Sequence, residues 1–455
     1  MDDPGIPTLS RARPAPARSR TRITRLLLAA ALVGAPAVVL RSLCAGRSCE
    51  RPAGAVAAAP FCSLPDALRA RLFDGFRDGR SPEILGVTGE VPVIGGEGFV
   101  ARDGAPAWPS TSRDAAPSLP LVFAGTGIDP TTTVRPGTTL DAVAPTVAEI
   151  IGLRRPHPEV RSGEAVEGVA TGEAPRLVLE VVAKGLGSDE LAEGPVVKRL
   201  LAGGAGTLDA RPGSLPLDPA AILTTIGTGG LPRQHGITGT LVRNDEGRLT
   251  RAWGGAAPVS VIAGLGDDLD ERLGQRPKIA LVADDRADRG LVGGNWYVDV
   301  DRDFLHISSD VVRGARRALA RGLGRDRTPD LLAVTIDDTP RRVDAALGRL
   351  VSLANSASKG SLAVVVTATG EAPALRAPAV SARRVVTRVH KRLGTDGVVE
   401  AATPGGLFTD QQVLAEGSIS EDDVVGTLAS MRGLAGDRLF ADAFTGRAVT
   451  FARYC

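Results

Sequence analysis

Aromatic residues make up only 3% of this 455-residue chain, which has two Met, three Trp and four Cys. Its core must therefore be built mostly of Ala, Val and Leu, because hydrophobic residues still reach 43%. An excess of one charge sign is also missing: 54 basic side chains face 52 acidic ones, and five of the basic ones are Lys. A surface that tracks phosphates needs a large basic surplus, so nucleic acid is excluded as the main partner. The surplus sits in residues 1–25, where six Arg face Asp2 and Asp3, and the rest is slightly acidic. No C-x-x-C occurs, which leaves a zinc or thioredoxin-type site without support. Nor is there a G-x-S-x-G elbow, a P-loop or an H-E-x-x-H. Gly227–Gly230 does not have the G-x-G-x-x-G spacing of a dinucleotide site.

Long apolar runs are absent but for Leu26–Leu40, LLLAAALVGAPAVVL, between an Arg-rich head and Arg41. Fifteen helical residues reach about 22 Å, short of the roughly 30 Å hydrocarbon core, although Arg25 and Arg41 can snorkel to extend the span. A positive head before an apolar run reads as an uncleaved anchor or, alternatively, a secretory signal. The small-residue stretch Ala55–Ala59 lies far from the run for ordinary cleavage, which favours the anchor. Positive charge ahead of the span places residues 1–25 in the cytoplasm and the main domain outside it, on the cell membrane or, if cleaved, secreted. Cysteines at 44, 49, 62 and 455 suit an oxidising compartment and allow three pairings.

Residues 41–60 read as a linker and 61–455 as the globular part. The apolar runs Leu177–Ala183, Lys278–Ala283, Leu331–Ile336 and Ser361–Thr367 read as buried strands. Between them, Asp310–Leu323 and Arg341–Ala357 carry apolar residues at helical spacing. Such alternation predicts an α/β fold with a largely parallel sheet flanked by helices, and residues 404–455 a small α+β subdomain.

The string Leu223–Gly239, LTTIGTGGLPRQHGITG, holds Thr228-Gly229, Pro232 and His235-Gly236-Ile237. It resembles the T-G-x-x-P-x-x-H-G-I signature of the alkaline phosphatase superfamily, in the branch of type I phosphodiesterases and nucleotide pyrophosphatases. Leu177–Leu186 with Pro195–Ala205, Ile279–Tyr297, Pro329–Leu350 and Ala363–Gly370 resemble further strings of that family. Gly79–Val87, Ser118–Ile128, Leu140–Leu153 and Pro158–Gly163 resemble strings that lie near the family's C-terminal end. Their order implies a circular permutation: an old tail, 61–166, joined through 167–175 to an old body made of a core, 176–403, and the subdomain, 404–455. In such a chain Phe451-Ala452-Arg453-Tyr454 once ran into Ser63-Leu64-Pro65, so the resemblance implies a Cys62–Cys455 disulfide in place of the lost connection.

The family's hydrolases hold two metal ions with Asp and His and attack with Thr or Ser. Carried onto this sequence, the first metal-binding Asp becomes Lys184, and the nucleophile becomes Pro219 beside Asp218. Asp337 remains of a D-x-x-x-H motif whose His is missing. The D-H-G motif becomes Ala368-Thr369-Gly370, and the last His falls near Trp108. A protonated lysine cannot ligate a metal and proline offers no nucleophile. The resemblance thus implies a protein without hydrolytic activity and without a cofactor, acting as a binding or scaffold module for an envelope component or protein. The alternative is a phosphodiesterase or phosphatase with relocated ligands for two zinc or manganese ions. Asp267-Asp268 and Asp284-Asp285 offer oxygen ligands for such ions, but Asp267 to Glu271 reads better as a helix start. Lys184 with Arg286 is a candidate anion site, against the plainer expectation that the lysine snorkels to solvent.

Overall fold

The computed structural model describes residues 61–88, 93–94, 117–254, 260–294, 296–298, 301–370, 380–403, 405–433, 436–452 and 455. The expected tail, apolar segment and linker of residues 1–60, and Trp108, lie outside them. Among the described residues no helix is long and apolar enough to cross a membrane.

Eleven strands form the two sheets that matter here. In chain order they are β1 (Ile84–Thr88), β2 (Leu119–Gly125), β3 (Leu177–Ala183), β4 (Gly204–Ala210), β5 (Ile279–Ala283) and β6 (Phe304–Ile307). They continue with β7 (Asp330–Ile336), β8 (Leu362–Ala368), β9 (Val399–Thr403), β10 (Gly406–Thr409) and β11 (Phe440–Thr445). The main sheet has the order β4-β2-β8-β3-β7-β5-β6. Strands β8, β3, β7, β5 and β6 are parallel neighbours, while β2 runs antiparallel to β8 and β4. Every residue of β3, β5, β7 and β8 is buried, as a strand covered on both faces requires. The four predicted strands are thus all present, with boundaries within a residue.

The helices used below are α1 (Pro195–Ala202), α2 (Pro219–Thr228), α3 (Leu265–Leu273), α4 (Val311–Ala320), α5 (Pro340–Ala357), α6 (Ala382–Leu393) and α7 (Glu421–Ser430). Helix α4 starts one residue later than its pattern because Asp310 is its cap, accepting the Arg313 N–H at 3.0 Å. Helix α5 has Pro at its first position and buries Val343, Ala346, Leu347, Leu350 and Ala354, one stripe of a 3.6-residue period. Parallel register puts Ile279 and Val282 on opposite faces of the sheet. Gly314 of α4 lies against Val282 and Gly266 of α3 against Ile279, so the two helices cover opposite faces.

A second sheet, β9-β10-β1-β11, is wholly antiparallel. Its apolar side meets α6 and α7 in a separate cluster that includes Ile84, Val389, Leu407, Val424 and Leu439. The expected subdomain boundary at 404 is corrected by this sheet, since β9 precedes it and β1 comes from the opposite end of the chain. Strand β1 is buried throughout and needs a partner on each edge; β10 and β11 provide them.

Cys62 and Cys455 form a disulfide with their Cα atoms 5.2 Å apart at a sequence separation of 393. The Phe61 ring meets Phe444 of β11 edge-on, with centroids 5.1 Å apart, beside the bond. Closing so long a loop should stabilise the fold by about 6 kcal/mol in the chain-entropy picture. Replacing both cysteines with Ser is expected to lower the denaturant midpoint accordingly, as measured by urea titration.

Glu180 stands in the middle of β3 between Ala333 and Val365, 2% exposed, and its Oε1 has no hydrogen-bond partner. Burial pushes its pKa up from 4.5 to about 8, so at neutral pH the folded chain keeps a proton that the unfolded chain loses. Stability is therefore greatest below pH 4.5 as far as this group is concerned, and falls as pH rises to about 8. The loss is on the order of 4 kcal/mol. Glu180→Gln should flatten that slope and raise stability at pH 8, read from unfolding curves of both proteins at pH 5 and 8.

Candidate functional site

In an open parallel sheet the carboxyl ends of the strands are where ligands are held. Here the neighbouring strands β8, β3, β7 and β5 run into Thr369, Lys184, Asp337 and Asp284. The backbone ties three of these ends together. Lys184 N–H donates to Ile336 at 2.8 Å, Thr369 N–H donates to Ala183 at 3.0 Å, and Gly185 N–H donates to the Thr369 hydroxyl at 3.0 Å. Gly185 has φ of 69°, a left-handed turn that glycine adopts without strain and that bends the chain away from the sheet.

The Lys184 ammonium does not reach solvent. It lies 2.5 Å from Asp284 Oδ1 and 3.0 Å from Asp288 Oδ2, and Lys184 is 7% exposed. Asp288 belongs to the 3₁₀ turn Arg286–Leu291 and also accepts the Thr335 hydroxyl at 2.7 Å. Burial opposes the lysine's charge, but Asp288 and Asp284 outweigh it and hold its pKa above the usual range. Burial lifts Asp288 to about 6, against the pull of Lys184. Both readings of Lys184 from the sequence are thus corrected. The ammonium is neither snorkelled nor available to an anion, because two carboxylates already compensate it, and Arg286 is exposed at the surface.

Asp218 and Pro219 serve the helix they begin. Asp218 caps α2, accepting Ala220 N–H at 3.0 Å and the Thr240 hydroxyl at 2.9 Å, and Pro219 takes its first position. Leu217 just before them lies against Gly370, so this segment passes close to the strand ends while Asp218 is turned into its cap. Asp267 and Asp268 stand in the first turn of α3, as the charge pattern implied. Asp267 accepts Gly264 N–H at 2.7 Å, and Asp268 pairs with Arg155 at 2.7 Å and Arg161 at 3.2 Å. Asp285 caps the 3₁₀ turn and pairs with Arg251 at 2.7 Å.

The four histidines do not converge. His157 faces Glu159, His306 stacks on Phe304, and His390 accepts Val399 N–H at 3.1 Å. His235 is fully buried: Nδ1 accepts Ile237 N–H at 3.1 Å, so Nε2 carries the proton it donates to Thr225 Oγ1 at 3.1 Å. Among the described residues no group of three or more His, Cys, Asp or Glu is placed to hold a metal ion. A pair of zinc or manganese ions does not fit these donors: an ammonium sits between the carboxylates at the strand ends, with no imidazole beside them.

Next to the ammonium opens a cleft of about 540 Å³ lined by Asp284, Asp310, Thr335, Asp337, Asp338, Arg342 and Arg349, among others. Three of its four carboxylates are paired: Asp284 with Lys184, Asp310 with Arg313 at 3.2 Å and Asp338 with Arg342 at 3.7 Å. Asp288 and Thr335 were not legible as part of the site. The available signal was a lysine just after a strand that is apolar but for Glu180, followed a hundred residues later by the acid-rich stretch Asp284-Asp285-Arg286-Ala287-Asp288.

No family model matches the chain, and no curated protein matches it. Among solved structures it is similar to the crystal structure of wild type alkaline phosphatase PafA. That likeness has 14% identity and a TM-score of 0.38, and covers 56% of this chain and 76% of the other.

The buried histidine gives a pH test. Burial, aided by the nearby Arg77 charge, lowers the His235 pKa from 6.5 to about 3. The unfolded chain takes up the proton first, so the contribution present above pH 6.5 is lost as pH falls towards 3, roughly 4 kcal/mol in all. Ring resonances of His235 should not titrate between pH 8 and 4 in NMR spectra of the folded protein.

Proposed function

We propose that the chain is an alkaline-phosphatase-like protein, circularly permuted and without hydrolytic activity, that acts outside the cytoplasm as a binding or scaffold module. One observation carries the loss of chemistry: Lys184, at the position where the resemblance implies a metal-binding carboxylate, is paired with Asp284 and Asp288. A metal there would have to displace an internal cation that is already compensated. Pro219, at the nucleophile position, offers no nucleophile, and Thr369, at the D-H-G position, offers no charged ligand. The adjacency of Cys62 and Cys455 supports the permutation, since the two ends of an unpermuted chain must have met there.

Residues 26–40 are the anchor in this reading, and the polar cleft at the strand ends receives the partner. A cleft of this size suits a small ligand or an inserted side chain. Its paired carboxylates and guanidiniums suit a polar, hydrogen-bonding group from an envelope component or a protein. The test is hydrolysis of phosphomonoester and phosphodiester substrates by the purified full chain, with zinc or manganese supplied. No turnover above buffer is expected, and none that Asp337→Ala changes. A metal-dependent rate abolished by Asp337→Ala would instead establish the phosphatase reading with relocated ligands.

A further inference from the structure

We infer that the arginine-bearing outer faces of α4 and α5 form a docking surface, which holds the domain against the anionic headgroups of the membrane that residues 26–40 enter. The inference rests on the anchor in the proposed function and deepens it, by fixing which side of the domain meets the lipid.

The two helices pack side by side. Helix α4 buries Gly314, Ala315 and Ala318, which leaves Arg313, Arg316 and Arg317 on its exposed side. Opposite its own apolar stripe, α5 exposes Arg341, Arg342 and Arg349. Neither helix exposes a carboxylate: α4 has none, and Asp344 of α5 is buried, accepting Val196 N–H at 3.0 Å. Beyond residue 25 the chain is slightly acidic, so these guanidiniums are a segregated patch and not a share of a general excess. Among the described residues only two of them meet a carboxylate, Arg313 with Asp310 and Arg342 with Asp338, in exposed pairs of little strength.

Local rules are broken to build the patch. Arg341 and Arg342 stand in the first turn of α5, and Arg313 in that of α4, where the helix dipole favours carboxylates. Arg313 and Arg317 are also four residues apart, a spacing at which like charges repel. A layer of anions over the face offsets both costs, and conflicts of this kind collect at functional surfaces. Reach and chemistry make that layer lipid. Residues 41–60 span at most about 70 Å, so the anchored domain stays near the headgroups. An anionic lipid surface attracts a basic patch without requiring a matching shape. The exposed large hydrophobic residues among the described ones, Val160, Trp296, Ile307 and Phe451, lie on other elements. The face thus lacks the apolar centre of a stable protein interface. Arg342 and Arg349 also line the cleft beside Lys184, so docking turns its mouth towards the headgroup layer, where its partner is met.

The experiment reconstitutes the full chain into phosphatidylcholine vesicles with and without phosphatidylglycerol, and reads the phenylglyoxal reactivity of each arginine by peptide mass mapping. At low salt Arg316, Arg317 and Arg349 should react at least threefold more slowly on the anionic vesicles. The exposed Arg248 and Arg384, on other elements, should keep one rate on both. At about 1 M salt, where the Debye length falls to about 3 Å, the protection should vanish. Arg316→Glu with Arg317→Glu, at two exposed positions, should melt like wild type and lose the protection of Arg349. Equal reactivity of the α4 and α5 arginines on both vesicles would overturn the inference, as would equal protection of Arg248 and Arg384. Protection by inorganic polyphosphate with none from phosphatidylglycerol would overturn it in favour of a soluble polyanion. The anchor is judged separately, by whether the chain floats with vesicles of phosphatidylcholine alone. If it does not, the anchor reading fails and the face is judged by flotation on anionic vesicles at low salt. Flotation at least threefold weaker in the doubly substituted chain supports the docking surface, and equal flotation of both chains overturns it.

Discussion

A buried ammonium survives only where carboxylates stand within contact distance, and the carboxyl edge of the main sheet is arranged around that requirement. Lys184 follows directly on β3, the middle strand, and its charge must be met by groups from other parts of the chain. Asp284 arrives at the end of β5, and Asp288 arrives on the 3₁₀ turn that packs against α2. The pairing thus fixes where the turn lies, and through the turn where α2 and its cap Asp218 lie. Removing one member of such a group leaves an uncompensated buried charge, a larger penalty than the net worth of the intact set. The same set determines the chemistry of the edge, since a site filled from within by an ammonium has no room for an external cation.

The second organising constraint is covalent. Both ends of the described chain meet in one place, where β1 lies between β10 and β11 and the Cys62–Cys455 bond lies beside the Phe61–Phe444 contact. The helical turn carrying Phe61 is also held by the Arg69 side chain, which donates to the Cys62 carbonyl at 3.1 Å.

Local pattern made the strands and helices of the main sheet legible. A run such as Leu177–Ala183, apolar on both faces but for Glu180, reads as a strand covered on both sides. The pairing of Cys62 with Cys455 followed from resemblance, because spacing alone cannot choose among three pairings. The destination of Lys184 was not legible, since its partners lie about a hundred residues away and their approach depends on strand order. Asp218 sat next to the position of interest and invited a chemical role, yet an Asp followed by Pro is the ordinary start of a helix, and that local rule prevailed. The subdomain boundary failed for a topological reason: no sequence window shows that β1 completes a sheet whose other strands lie three hundred residues later.

That topology also sets a timetable for biosynthesis. Ile84 of β1 lies opposite Leu407 on one side and Thr445 on the other, so no neighbour exists for it until nearly the whole polypeptide has been translated. At roughly 5–20 residues per second, the first strand waits tens of seconds with both ladder edges bare. Nascent β1, rather than any segment of the parallel core, is the part of this molecule most exposed to chaperones and to mispairing with another copy.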